Sequence, residues 1–326
     1  MAGDDVIEAR ELTRRYRTTT GVVRRRPLEV EAVRGISFGV RRGELFGLLG
    51  PNGAGKTTTI KMLITLLLPT SGTARVLGLD VVEQAREVRR RIGYVFGGER
   101  GLYERLSGRD NLRYFAELYG VSGKAQRLRI EEVLELVGLS GREQERVEGY
   151  SRGMRQRLHI ARGILHDPEV VFLDEPTIGV DPVGARELRQ TIAGLVSAGK
   201  TVLLTTHYMF EADALCDRIA VIAKGRIVGE GTPAALKAGV ASGTVTEIEV
   251  FGIDDRAIGR LRAVPTVTAV TVDERDQKQL LIVQSTGEQE LTAALLGELG
   301  GVGVGRVGSR EPTLEDAYVA LVEGAE

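Results

Sequence analysis

The sequence predicts an α/β protein with two domains. A parallel-sheet core over residues 1–240 carries a helical subdomain at about 99–165, and a small α+β domain covers 241–326. Three observations predict this. An apolar run ends in a glycine-rich turn and opens a helical stretch within residues 44–68. A second apolar run, at 169–173, ends in two acids. Past Ala241 the texture changes to short segments in the order βαββαβ, the ferredoxin-like order, with a helical tail.

Along the core, apolar and charged residues mix at strand spacing over 7–15. A basic, turn-like segment with Arg24, Arg25 and Arg26 follows at 18–27, in a hairpin-like insertion, and 33–40 reads as another strand. Residues 44–49 form a short apolar strand, and 56–68 has helical character. After a strand at 91–96, helical patterns at 111–119, 127–137 and 153–165 make up the insert. The runs 169–173 and 201–205 are apolar and rich in β-branched residues, as strands of a parallel sheet covered on both faces are. Strands at 218–223 and 226–228 close the core. In the second domain strands are expected at 246–251, 267–272, 279–284 and 304–308, and helices at 255–262, 289–299 and 314–322.

Bulk properties exclude several functions. The 326 residues carry a net charge of −1, so no global basic field points to nucleic acid. The N-terminus is polar and acidic, unlike a secretory signal. The longest apolar stretch, 60–68, is interrupted by Lys61 and Thr65, whereas a spanning helix needs about 20 apolar residues. The chain is expected to be soluble, working beside a membrane if it works at one. Cys216 is the single cysteine and reads as a small buried apolar residue.

Two motifs carry chemistry. Gly50-Pro51-Asn52-Gly53-Ala54-Gly55-Lys56-Thr57 fits G-x-x-x-x-G-K-[ST], between a strand and a helix as the motif requires. Its glycines let backbone N–H groups turn inward around phosphates, and the following helix aims its positive end at the same charge. Lys56 adds a point charge and Thr57 a hydroxyl for Mg²⁺. Asp174 and Glu175 end the second apolar strand, at the sheet edge where ligands of α/β folds sit. There Asp174 can hold Mg²⁺ through water, and Glu175, one residue on, can polarise an attacking water.

Further motifs, in the same order along the chain, resemble the ATP-binding cassette (ABC) family. Ser151-Arg152-Gly153-Met154-Arg155-Gln156 resembles the ABC signature, usually Leu-Ser-Gly-Gly-Gln, with Tyr150 for the Leu and Arg152 for the first Gly. Ser151 is also a good N-cap, so the N–H groups behind it face an anion. Gly179-Val180-Asp181-Pro182 resembles the D-loop. His207 resembles the switch histidine that contacts the γ-phosphate, and Tyr16 the aromatic residue that stacks on adenine. The resemblance covers roughly residues 6–236 and implies a P-loop cassette, a RecA-like core plus a helical subdomain. The C-terminal part resembles the extra domain of drug-resistance (daunorubicin-resistance-like) ATPases that serve ABC-2 permeases, the 311–316 stretch being typical of that group. One position departs. The family has a Gln after the strand at 91–96; here that place falls on Gly97 or Gly98, with Glu99 or an added water as the substitute.

The resemblance implies an ATP hydrolase coupled to transport, using ATP and Mg²⁺. It makes Glu175, His207 and Lys56 catalytic and Thr57 and Asp174 the metal-holding pair. Nucleotide contacts would come from Tyr16, Asn52, Gly53, Ala54, Gly55, Lys56, Thr57 and Thr58, with Ser151, Gly153 and Asp181 acting across a dimer. The implied partners are an ABC-2-type transmembrane permease and a second ATPase subunit, giving a homodimer at the cytoplasmic face of the membrane; no nucleic acid is expected. An exporter of a drug, antibiotic, lipid or polysaccharide fits best. The rivals are an importer ATPase and a soluble ABC ATPase acting on ribosomes or DNA.

Overall fold

The computed structural model describes residues 5–20, 26–97, 101–240, 244–275, 278–286 and 291–323. Its first compact unit is Met1–Glu230 and its second Gly231–Glu326. In chain order the first unit has β1 (Asp5–Thr20), β2 (Arg26–Arg41), β3 (Leu45–Leu49), α1 (Lys56–Leu63), β4 (Ser71–Val76), β5 (Leu79–Asp80), α2 (Ala85–Arg91) and β6 (Ile92–Phe96). There follow α3 (Gly108–Leu118), α4 (Gly123–Leu136), α5 (Arg152–Ile164), β7 (Val170–Asp174), α6 (Pro182–Ser197), β8 (Thr201–Thr206), α7 (Met209–Leu215), β9 (Arg218–Ala223) and β10 (Arg226–Gly231).

Two sheets enclose the core of this unit. One is antiparallel, in the order β2-β1-β4-β5. The other, in the order β10-β9-β3-β8-β7-β6, has parallel neighbours from β9 through β6. Strands β3, β7 and β8 are buried at every position, which is why their sequences run apolar without alternation. Ile60, Met62 and Leu63 of α1 join Leu12 and Val33 of the antiparallel sheet and Phe46, Phe172 and Leu203 of the parallel one in a single apolar cluster. That cluster fixes the start of α1 against the ends of β3, β7 and β8. Because these three strands are parallel, the segments leaving them emerge at the same end of the sheet.

The second unit has α8 (Pro233–Val240), β11 (Val245–Phe251), α9 (Asp255–Ala263), β12 (Val267–Arg275), β13 (Lys278–Ser285), α10 (Leu291–Glu298), β14 (Gly303–Arg310) and α11 (Leu314–Glu323). Its antiparallel sheet has the order β12-β13-β11-β14, the split βαβ arrangement of a ferredoxin-like fold. Ile248, Val250, Leu281 and Val283 on the strands pack with Leu261, Leu295 and Leu299 from the helical side. The unit begins before the change of texture at Ala241, because α8, which the sequence did not announce, packs on α11.

Helix α1 stops short of the expected 68. Thr65 takes φ 68, its N–H donates to Met62 O and that of Leu66 to Lys61 O. This is a Schellman ending built on a threonine, where glycine is usual, so nothing in the residue types announced it. Strands β1 and β2 pair as far as Thr20 with Arg26, so the segment expected at 18–27 is a hairpin end. Arg24 and Arg25 lie outside the described residues, as do Gly98, Glu99 and Gln289.

Candidate active site

The loop after β3 is closed by its own glycines and lysine. Gly55 has φ 111, and a Cβ there would lie 2.6 Å from Ala32 O, so only glycine lets α1 start this close to β2. No side chain caps the helix, which leaves its first N–H groups for an anion. Lys56 is 3% exposed. Its ammonium donates to Gly50 O at 2.7 Å and Pro51 O at 3.1 Å, folding the loop around it. It also lies 3.0 Å from Glu175 Oε1, so a phosphate held by Lys56 sits beside that carboxylate. Asn52, Gly53, Gly55, Lys56, Thr57 and Thr58 line a cleft of about 130 Å³ together with Ala32, Pro51 and Glu175. Small-molecule sites usually run from about 300 Å³ upward, so this cleft suits phosphates and leaves the base outside it. Ala54 turns its side chain inward, and its N–H donates to Pro51 O.

Both acids at the end of β7 are held by one threonine of β8. Thr205 Oγ1 donates to Asp174 Oδ1 at 2.5 Å and accepts from Glu175 N at 3.1 Å. Thr57 Oγ1 donates to the same Asp174 oxygen at 3.1 Å. Thr57 and Asp174 thus present an all-oxygen set, the donor chemistry that suits Mg²⁺. Among the described residues no three His, Cys, Asp or Glu side chains are placed to hold a metal ion by themselves. Glu175 stands at φ 49, a left-handed conformation rare for a side-chain-bearing residue and common at working sites. Its Oε2 lies 3.2 Å from His207 Nδ1. The sequence motifs did not single out Thr205; the hydroxyl run at the end of its strand was the available signal.

A family model described as ABC transporter matches residues 33–178. A daunorubicin resistance ATP-binding protein of Streptomyces coeruleorubidus is 41% identical over 89% of this chain and 91% of its own length. The chain belongs to the ABC transporter ATP-binding family. A linearmycin resistance ATP-binding protein of Bacillus subtilis is 35% identical over 89% of the chain and 93% of its own length. For a Nod factor export ATP-binding protein of Burkholderia orbicola, the figures are 39%, 89% and 91%. Among solved structures, cbiO1 of Clostridium perfringens, part of the ABC transporter complex cbiONQ, aligns over 72% of this chain and 92% of its own. The TM-score is 0.64 and the identity 26%.

In this ABC ATPase the signature segment opens α5. Ser151 is its N-cap, accepting from Met154 N at 3.2 Å. Arg152 donates to Gly179 O of the D-loop, and a Cβ on Gly153 would lie 3.1 Å from Gly184 Cα, so the two segments are packed together. Asp181 caps α6, accepting from Val183 N and Gly184 N. None of Ser151, Gly153 and Asp181 lines the phosphate cleft of its own chain. Tyr16 does not line it either. It pairs with Val30 on β2, with the Arg14 guanidinium 4.9 Å from its ring centre.

Of the two positions that match the family's Gln, Gly98 lies outside the described residues and Gly97 leaves no room for a side chain. Its N–H donates to Asp174 O at 2.6 Å, and a Cβ would meet Glu175 O at 2.7 Å and Asp174 O at 2.9 Å. The 311–316 stretch forms a capping box on α11. Thr313 N and Oγ1 both donate to Asp316 Oδ2 at 2.7 Å, Asp316 N returns to Thr313 Oγ1, and Arg310 clamps the same carboxylate.

Proposed function

We propose that this ABC ATPase powers an ABC-2-type exporter, hydrolysing ATP at the cytoplasmic face of a membrane while a separate permease carries a drug, antibiotic, lipid or polysaccharide outward. The relatives named for resistance and export carry this reading, because they match through most of the chain, the second unit included. No helix among the described residues is long and apolar enough to cross a membrane, which accords with a peripheral subunit.

For hydrolysis, the convergence of Lys56, Thr57, Asp174, Glu175 and His207 supports the following roles. The open N–H groups of α1 and the Lys56 ammonium hold the phosphates. Thr57 and Asp174 would hold Mg²⁺, which screens charge on the phosphate oxygens when bound. Glu175 polarises the attacking water, and His207, at its other carboxylate oxygen, contacts the γ-phosphoryl group and steadies Glu175. Tyr16 stacks on the base beyond the cleft. Ser151, Gly153 and Asp181 act on the nucleotide of a second copy, so that ATP closes the pair and hydrolysis reopens it.

Purification from native membranes in mild detergent, followed by mass spectrometry, tests the transport reading. A multi-spanning permease at one-to-one ratio is the expected result. Ribosomal proteins or DNA without a permease would overturn it.

A further inference from the structure

Glu211, in the first turn of α7, is 2% exposed, a depth at which an acid needs partners. Its surroundings come from the two segments that carry Glu175 and His207. Thr177, two residues past Glu175, donates its hydroxyl to Glu211 Oε2 at 3.2 Å. Thr206, the residue before His207, borders the same carboxyl, and Glu211 N donates to Tyr208 O at 3.1 Å, which ties the acid to the turn that follows His207. Thr206 Oγ1 also accepts from Tyr208 N, so the turn holding His207 is built on that hydroxyl. Thr177 O in turn accepts from Val180 N and starts the D-loop. Glu211 Oε1 has no hydrogen-bond partner among the described residues. The charged or titratable groups that face the carboxyl are Arg189 of α6, His207, and the Cys216 thiol beyond α7.

We infer that Glu211 is a positioning residue of the hydrolytic site, tying the His207 turn to the turn after Glu175 so that both side chains reach one γ-phosphoryl group. The inference rests on the roles proposed above for Glu175 and His207. The chemistry explains the choice of residue. The buried Thr177 hydroxyl needs an acceptor at this place, and an apolar side chain on α7 would leave it unpaired. Burial holds the carboxyl above the usual carboxylate range, so a neutral glutamine can take its place in these bonds.

The test compares full-length Glu211→Ala, Glu211→Gln, Thr177→Val and the Thr177→Val/Glu211→Ala double variant, with Glu175→Gln alongside. ATP turnover, ATP binding and melting temperature are measured for each. We expect Glu211→Ala to lower kcat by about tenfold with ATP binding unchanged, the scale of effect that misplaced groups produce. Glu211→Gln should recover most of that loss. The double variant should be no slower than Glu211→Ala, because both substitutions break one link. Unchanged kcat in Glu211→Ala, no recovery by Glu211→Gln, or losses that multiply in the double variant would each overturn the inference. If Glu211→Ala does not fold, Glu211→Gln and Thr177→Val decide. Near-normal kcat for Glu211→Gln with a roughly tenfold loss for Thr177→Val upholds the inference, and normal kcat in Thr177→Val overturns it. Persisting turnover in Glu175→Gln would instead remove the base reading itself, whatever the Glu211 variants do.

Discussion

One hydroxyl, that of Thr205, sets the direction of both acids at the end of β7. The acids then divide by reach. Asp174 points to Thr57 and the helix start, while Glu175 lies between Lys56 and His207. If Glu175 polarises the water, Glu175→Gln keeps ATP affinity and lowers turnover at least about 100-fold, as loss of a general base does. Nucleotide binding and phosphate release measured side by side check this. Lys56→Ala should lose nucleotide binding, since among the described residues no other cationic side chain lines the cleft. A second residue-scale prediction concerns pH. His159 on α5 is 1% exposed, and burial, with the Arg162 charge adding, pushes its pKa down to about 4 from an ordinary 6.5. The unfolded chain therefore takes up the proton first. The stability involved is intact above about pH 7.5 and is lost as pH falls through 6.5 toward 4, about 2 kcal/mol of it by pH 5. His166 is lowered by burial too and acts with the same sign. Urea unfolding of the parent and of His159→Leu at the two pH values checks this; the variant should lose most of the slope.

At the scale of elements, what the sequence made legible depended on whether one local pattern decided the outcome. Strands β3, β7 and β8 were legible because burial on both faces demands unbroken apolar runs. The loop after β3 was legible because Gly55 admits no substitute at φ 111. Strands β4 and β5 were not, since exposed Ser71, Gly72 and Thr73 join the sheet through partners far away in the chain. Helix α6 carried its own start signal, Asp181 followed by Pro182, which was read only as a functional loop. The 311–316 stretch shows the converse, a motif noted as a family mark whose local work is to cap α11. Thr313→Ala removes two of its hydrogen bonds and should cost about 1 kcal/mol in the second unit, read as an earlier unfolding step by hydrogen exchange. ATP turnover by the first unit should stay unchanged.

At the scale of the molecule, the cassette assembles only part of a hydrolytic site. The phosphate cleft, the Thr57 and Asp174 oxygens and the Glu175 carboxylate come together in one chain, whereas Ser151, Gly153 and Asp181 do not line that cleft. The Arg152 bond to Gly179 and the close approach of Gly153 to Gly184 make the signature and D-loop one packed surface. In the function proposed above, a second copy receives that surface. The site residues were legible as types and spacings, but their division between two copies rests on resemblance, because sequence periodicity carries no information about a symmetric partner. The most direct measurement is the mass in solution of Glu175→Gln, which should bind ATP without consuming it, with and without ATP and Mg²⁺, by light scattering after size exclusion. The expected result is a monomer without nucleotide and twice that mass with ATP, the shift being lost when Ser151→Ala and Gly153→Asp are added. A monomer at saturating ATP would contradict a nucleotide shared between two cassettes.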